Sequence, residues 1–296
     1  MGTASAMPVA GKYQSAQVLC VHGRYFLIDC GEGVQQQMTA LRVPMMKVDS
    51  IFISHIHGDH VFGLFGLLST LGMKGRTAAM NIFGPANLGP IIKFFLSYYG
   101  EGLAFELRFT PLKGAAPELI YKTKTLEVWA VPLNHGIETY GYVFKESEPM
   151  LNVHKQAVEA LGLSLTEIGA LKRGESVTRA DGTFLDAGEL TYSPYKPAGY
   201  AYISDTAPFP ELASWLGGVT TLYHETTYLA ELADQAALRH HSTTLQAASA
   251  AKEAGVEKLL IGHYSSRNKD IGLYQAECRT IFPATFAASD GDVFEI

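Results

Sequence analysis

The seven residues Ser54-His55-Ile56-His57-Gly58-Asp59-His60 place three histidines and an aspartate in one short loop, and they constrain this 296-residue chain more than any other stretch. The run before them, Val48-Asp49-Ser50-Ile51-Phe52-Ile53, is apolar and β-branched and reads as a buried strand. The run after, Val61-Phe62-Gly63-Leu64-Phe65-Gly66-Leu67-Leu68, reads as a buried helix. The loop therefore sits at the carboxyl end of a strand, where open α/β sheets place their chemistry. A single histidine beside apolar residues is usually a hydrogen-bonded structural group, but four polar donors in one loop ask for more. His55 and His57, spaced i, i+2, can share one direction from an extended segment, while Asp59 and His60 begin the helix and can point another way. Neutral imidazole and carboxylate are the usual ligands of zinc and related divalent ions, so one loop can serve two adjacent metals.

The same unit recurs. Leu126–Val131 leads to Pro132-Leu133-Asn134-His135, Ala201–Ser204 to Asp205, Thr221–Tyr223 to His224-Glu225-Thr226, and Lys258–Gly262 to His263. With the histidine loop this makes five short apolar strands ending in potential ligands. If those ends converge on one edge of a sandwich they form a single site. A further strand, Arg24–Ile28, ends at Asp29 of Asp29-Cys30-Gly31-Glu32-Gly33. Asp29 is either an acid that orients a ligating histidine or simply the end of a strand. Helices are expected after His60, over Pro90–Tyr99 and from Thr243 to Ala254. The last carries a capping box, Thr243-Thr244-Leu245-Gln246, and a stop at Gly255. His241 thus falls in a loop just before a helix cap, available for acid or base work.

Composition narrows the class. A hydrophobic share of 47% is ample for a large core, and no linker or composition break divides residues 1–296, so one domain is expected. Cys20, Cys30 and Cys278 are odd in number and far apart, as reduced core residues and not a disulfide framework or zinc knuckle. There is no apolar run of membrane-spanning length, and the start lacks a signal-peptide pattern, which points to a cytoplasmic protein with no membrane partner. The net charge of −6 speaks mildly against nonspecific nucleic-acid binding. Two bound dications would raise it to about −2 and concentrate positive charge where a phosphate would sit. From about Lys145 to Gly199 the strand-to-ligand unit disappears, and turn signals at Leu171–Gly174 and Ala180–Thr183 precede a Tyr- and Pro-rich run. This reads as an insertion projecting from the core. Its bases Lys155, Lys172, Arg173 and Arg179 are either contacts to a polyanion or a solvated charged surface.

The ordered set His55, His57, Asp59, His60, His135, Asp205 and His263 resembles the metallo-β-lactamase superfamily. Within it the chain is similar, over almost its whole length, to the ribonuclease Z family of tRNA 3′-processing endonucleases. Ser5-Ala6-Met7-Pro8, Asp29–Gly33, Phe83-Gly84-Pro85, Ser204-Asp205-Thr206, His224-Glu225-Thr226-Thr227 and His241-Ser242-Thr243 carry that narrower likeness. The resemblance implies an α/β fold, a four-layer αββα sandwich with residues 145–199 as an arm that grips precursor tRNA, and a homodimer. It implies one zinc on His55, His57 and His135, a second on Asp59, His60 and His263, with Asp205 bridging; manganese and iron suit the same donors. Asp59 would orient or deprotonate the attacking water, and His241, backed by Glu225, would protonate the departing ribose oxygen.

Three departures stand out. The family's Gly-Pro motif at the arm tip is replaced by Gly162-Leu163-Ser164-Leu165-Thr166-Glu167, and Gly11-Lys12-Tyr13-Gln14 stands where an Arg-Asn pair is usual. Relatives also have a β-strand upstream of Gly2-Thr3-Ala4-Ser5, so an unpaired sheet edge is expected. A small-molecule phosphodiesterase or other hydrolase of the same fold is the alternative function, and a noncatalytic RNA-binding scaffold is disfavoured by the intact ligand set. His240 is the neighbouring rival for the acid, with the motif likeness favouring His241, and His22, His154 and His224 are left as structural or surface residues.

Overall fold

The computed structural model describes residues 1–268 and 270–296. Two mixed sheets face each other. The first has the order β1-β2-β3-β4-β5, formed by Gln17–Val21, Arg24–Ile28, Val48–Phe52, Met80–Pro85 and Leu107–Leu112. β1 and β2 form an antiparallel hairpin, and β2 through β5 run parallel. The second sheet starts with the antiparallel strands β6 (Glu118–Lys122), β7 (Leu126–Pro132) and β8 (Tyr140–Glu146).

Between β8 and the next strand of that sheet lie four two-residue strands, β9 (Asn152–Val153), β10 (Val177–Thr178), β11 (Phe184–Leu185) and β12 (Thr191–Tyr192), which pair only among themselves. The sheet resumes with β13 (Gly199–Ile203), β14 (Thr221–Glu225), β15 (Lys258–Gly262) and β16 (Thr285–Ala287), in the order β16-β15-β14-β13-β8-β7-β6. Tyr223 does not end its strand, as the sequence suggests. Pairing of His224 with Ile261 and Glu225 with Gly262 carries β14 two residues further, into the buried interior.

The helices in chain order are α1 (Val34–Ala40), α2 (Gly58–Met73), α3 (Leu88–Tyr99), α4 (Lys155–Leu161), α5 (Leu165–Lys172), α6 (Ala187–Leu190), α7 (Leu212–Trp215), α8 (Ala233–Leu238), α9 (Thr244–Ala254) and α10 (Ile271–Arg279). Three apolar clusters define the layers. Leu64, Leu67, Leu68, Leu71, Ile92 and Phe95 of α2 and α3 bury the outer face of the first sheet with Leu27, Ile51 and Ile82. Phe26, Phe52, Phe83, Tyr142, Phe144, Tyr202 and Tyr223 fill the space between the sheets. Ala248, Ala251, Tyr274 and Cys278 of α9 and α10 cover the far face of the second sheet with Ala201, Leu222, Leu259 and Ile261. The result is the four-layer αββα sandwich. Among the described residues no helix is long and apolar enough to cross a membrane.

The segment between β8 and β13 has its own small core of Leu163, Leu171, Leu185 and Ala187, and Gly199 opposite Lys145 closes its base. The stretch Gly162–Glu167 is a helix junction. Gly162, in the left-handed region at φ 54°, ends α4, and Ser164 with Glu167 forms a capping box that starts α5. Three of the segment's bases carry acidic partners: Arg179 holds Glu167 at 2.6 Å, Arg173 holds Glu175 at 2.7 Å, and Lys155 lies 3.8 Å from Glu159.

Candidate metal centre

The site lies where β3 of one sheet and β7, β13, β14 and β15 of the other end together. His57 caps α2 in extended backbone, and the helix then turns Asp59 and His60 inward. Two backbone bonds pin that first turn to the β2–α1 connection: Cys30 N donates to His60 O at 2.8 Å, and Gly63 N to Cys30 O at 2.9 Å. The short turn after β7 brings in His135, β13 ends at Asp205, and β15 ends at His263.

Ring nitrogens and carboxylate oxygens of His55, His57, His135 and Asp205 gather within 4.8 Å of one another, and so do those of Asp59, His60 and His263. His55 Nε2 approaches His57 Nδ1 at 3.0 Å, and His135 Nε2 approaches the same atom at 3.4 Å. Asp205 reaches both groups, with Oδ2 3.7 Å from His55 Nε2 and from His60 Nε2, and Oδ1 3.3 Å from His263 Nε2. Asp59 Oδ2 lies 3.3 Å from His60 Nε2 and 3.4 Å from His263 Nε2. Bonds of about 2.0–2.1 Å to a tetrahedral ion put its ligand atoms about 3.3–3.4 Å apart, so these spacings suit a shared cation. The chemistry of His60 makes the same point. Its Nδ1–H donates to Asp29 Oδ2 at 2.7 Å, which leaves the lone pair of Nε2 toward the site. Nε2 is buried and has no hydrogen-bond partner among the described residues, a costly arrangement unless a cation takes that lone pair.

Hydrogen bonds behind the donors set which nitrogen faces inward. Asp29 Oδ1 accepts from Ser54 N at 2.7 Å, and its Oδ2 accepts from Ser54 Oγ at 2.8 Å and Tyr202 OH at 2.7 Å. Because a carboxylate only accepts, the Ser54 hydroxyl has spent its proton there. It must then accept the Nδ1–H of His55, 2.9 Å away, so Nε2 of His55 is the nitrogen left free to coordinate a cation. His135 Nδ1–H donates to the backbone carbonyl of His240 at 2.9 Å. Of the five non-glycine residues in the left-handed region among those described, Asp29 (φ 55°), His240 (φ 53°) and His263 (φ 59°) belong to this centre. Strain of this kind collects where a site over-determines its backbone.

Burial, reinforced by the neighbouring histidines, holds the pKa of His55 well below its ordinary value and keeps the ring neutral, as a ligand must be. Burial also lowers His135. At His60 burial is outweighed by Asp29, Asp205 and Asp59, whose negative charges raise its pKa well above the ordinary value and would equally favour a metal cation at Nε2. Asp59 is likewise buried, yet His60 and His263 hold its carboxyl well below the usual range.

Beside the donors sits a second pair. His241 Nδ1–H donates to Glu225 Oε1 at 2.9 Å, while its Nε2 faces Asp205 Oδ2 at 4.0 Å. Burial opposes the charged ring, but Glu225 outweighs it and raises His241 to about 9; His241 in turn lowers Glu225 against its own burial. Glu225 is fully buried and also accepts from Ser242 N and Thr206 N, at 2.8 and 3.2 Å.

All nine residues singled out for this site are thus brought together. His22 lies elsewhere, 2.9 Å from Glu146, and the His154 ring lies tilted against Tyr192, with centroids 4.9 Å apart. His224 is buried with its Nδ1–H on the Glu225 carbonyl. Sequence reasoning missed Ser54, Tyr202, Thr227 and the His240 carbonyl. Ser54 and Thr227 lie inside motifs already noted; Tyr202 and a backbone carbonyl leave no trace in spacing.

Residues 1–92 match a family model described as anti-Pycsar protein Apyc1. Ribonuclease Z of Cytophaga hutchinsonii is 41% identical over 297 residues, spanning 100% of this chain and 95% of its own length. The short form of human tRNase Z has the same fold, with a TM-score of 0.71 at 23% identity, covering 100% of this chain and 97% of that one. A metallo-β-lactamase fold protein from Bacillus subtilis gives a TM-score of 0.70 at 19% identity over 99% of this chain and 97% of its own.

Proposed function

The chain belongs to the ribonuclease Z family, and from that premise we propose that it is a zinc-dependent endoribonuclease removing the 3′ trailer of precursor tRNA. The observation that carries the reading is the convergence of seven donors from two sheets beside an imidazole held by a buried glutamate. His55, His57 and His135 would hold one zinc and Asp59, His60 and His263 the other, with Asp205 between them. A bound divalent pair would supply Lewis acidity to the phosphodiester and ease deprotonation of the attacking water.

Asp59, ionised beside His60 and His263, orients that water and accepts its proton. His241 presents Nε2 toward Asp205, 4.0 Å from its Oδ2. It donates a proton to the ribose oxygen that leaves when the P–O bond breaks, since an alkoxide leaves poorly without one. Glu225 holds the ring in the orientation and charge state this needs. The segment around residues 145–199 is the tRNA-gripping arm, and the chain works as a homodimer in which one subunit's arm serves the other's centre.

The acidic net charge of −6 and the altered arm tip favour the second reading, a small-molecule phosphodiesterase. One experiment separates them: purified protein, with and without added zinc or manganese, is given a 3′-extended tRNA transcript and, in parallel, a bis-aryl phosphodiester. Metal-dependent cleavage at the 3′ boundary of the tRNA is expected. Turnover of the small diester with an untouched transcript would overturn the tRNA reading in favour of the phosphodiesterase.

A further inference from the structure

Thr227 belongs to none of the groups assigned above, yet it touches three of them. It lies just past the end of β14, buried, with its Oγ1 2.7 Å from Glu225 Oε2, 2.8 Å from His263 Nδ1 and 3.2 Å from His241 Nδ1. Its backbone N–H also donates to Glu225 Oε2 at 2.8 Å. A hydroxyl has one proton to give, and the ionised carboxylate can only accept. The Thr227 O–H therefore goes to Glu225. Its oxygen is left to accept from His263, which must carry its proton on Nδ1 and turn the lone pair of Nε2 toward Asp59 and Asp205.

This repeats what is built on the other sheet. Asp29 holds His60 directly and His55 through the Ser54 hydroxyl. Glu225 holds His241 directly and His263 through the Thr227 hydroxyl. In each case one buried acid sets two imidazoles, one by contact and one by a hydroxyl relay. In the second case the two imidazoles would have different duties in the proposed reaction, His241 toward the leaving ribose oxygen and His263 toward a bound metal.

We propose that Thr227 is a positioning residue: its hydroxyl fixes the tautomer and orientation of His263 and ties that ring to the glutamate that holds His241. The metal-holding half of this stands on the geometry alone; only its kinetic half rests on the reaction proposed above.

Thr227→Val keeps the shape and removes the relay, and Thr227→Ser restores the hydroxyl. Three readouts distinguish a relay from a packing role. Zinc affinity is measured by chelator competition on each protein. The His263 tautomer is read in the metal-free protein from long-range 15N–1H correlations of its imidazole. kcat and KM are measured on the 3′-extended tRNA. We expect Thr227→Val to weaken one zinc equivalent and lower kcat by about 10–100-fold, the usual cost of removing a group that orients a ligand, with KM little changed. We expect its His263 to lose the single Nδ1–H form, and Thr227→Ser to recover all three. Wild-type zinc affinity and tautomer in Thr227→Val would overturn the proposal, and so would a Thr227→Ser protein as impaired as the valine. Failure of the wild type to cut tRNA would count against the proposed function, while the zinc and tautomer readouts would still decide the role of Thr227.

Discussion

A neutral imidazole offers one lone pair and one N–H, so whatever accepts the N–H decides which nitrogen can bind a metal. Here Ser54, the His240 carbonyl, Asp29 and Thr227 make that decision for His55, His135, His60 and His263. The candidate ligands themselves are legible in the sequence because their side chains follow strands at short spacing; their orienting partners, Ser54 beside His55 excepted, come from 31 to 105 residues away and are not. Two substitutions separate the roles. His241→Ala is expected to retain both metal equivalents by elemental analysis while losing about 10²–10⁴-fold in kcat, the range of positioned acid catalysis. Asp205→Ala is expected to lose metal, because its carboxylate lies against both donor groups. Normal turnover by the first, or full occupancy in the second, would remove that residue from its assigned role.

At the scale of elements, α2 does the most for the centre, because its first turn carries Asp59 and His60. Its approach to the β2–α1 connection depends on Gly63, where an added Cβ would meet the Gly31 carbonyl at 2.1 Å, a backbone atom that cannot step aside. Gly66, one turn on, faces only the flexible Gln35 side chain at 3.2 Å. Gly63→Ala is expected to destabilise the fold by about 1–3 kcal/mol in urea unfolding, as overpacking does. Gly66→Ala is expected to be neutral or to stabilise by about 0.5–1 kcal/mol, since alanine is the better helix residue. Equal effects would show that α2 is free to shift. Element boundaries follow local chemistry closely where caps are explicit: Thr243 and Gln246 start α9, and Gly255 at φ 68° ends it. The Ser164–Glu167 box that starts α5 is equally local.

Across the whole molecule, the donors come from two sheets that otherwise meet through the aromatic layer of Phe52, Tyr142 and Tyr202. His55, His57, Asp59 and His60 follow the first sheet's β3, and His135, Asp205 and His263 follow strands of the second. A metal pair would therefore brace the sandwich at one rim. Free zinc at 100 times its dissociation constant adds about 2.7 kcal/mol to folded-state stability for each site, which for a chain of this size corresponds to a rise of about 4 °C in Tm. Chelation followed by thermal unfolding should lower the midpoint by about that amount, and readdition of zinc should restore it. An unchanged midpoint would mean that the donors do not hold a metal across the two sheets.

The sequence by itself determined the strand-to-ligand units, the helix that follows the histidine loop and the seven candidate donors. Each of these depends on residues a few positions apart, within reach of local periodicity and spacing. Only the tertiary structure decided that the ends of β3, β7, β13 and β15 meet, that Asp205 lies between the two donor groups, and that Asp29 and Glu225 set the rings. Those relations depend on sheet order and on register between strands far apart in the chain, and local patterns carry no information about either.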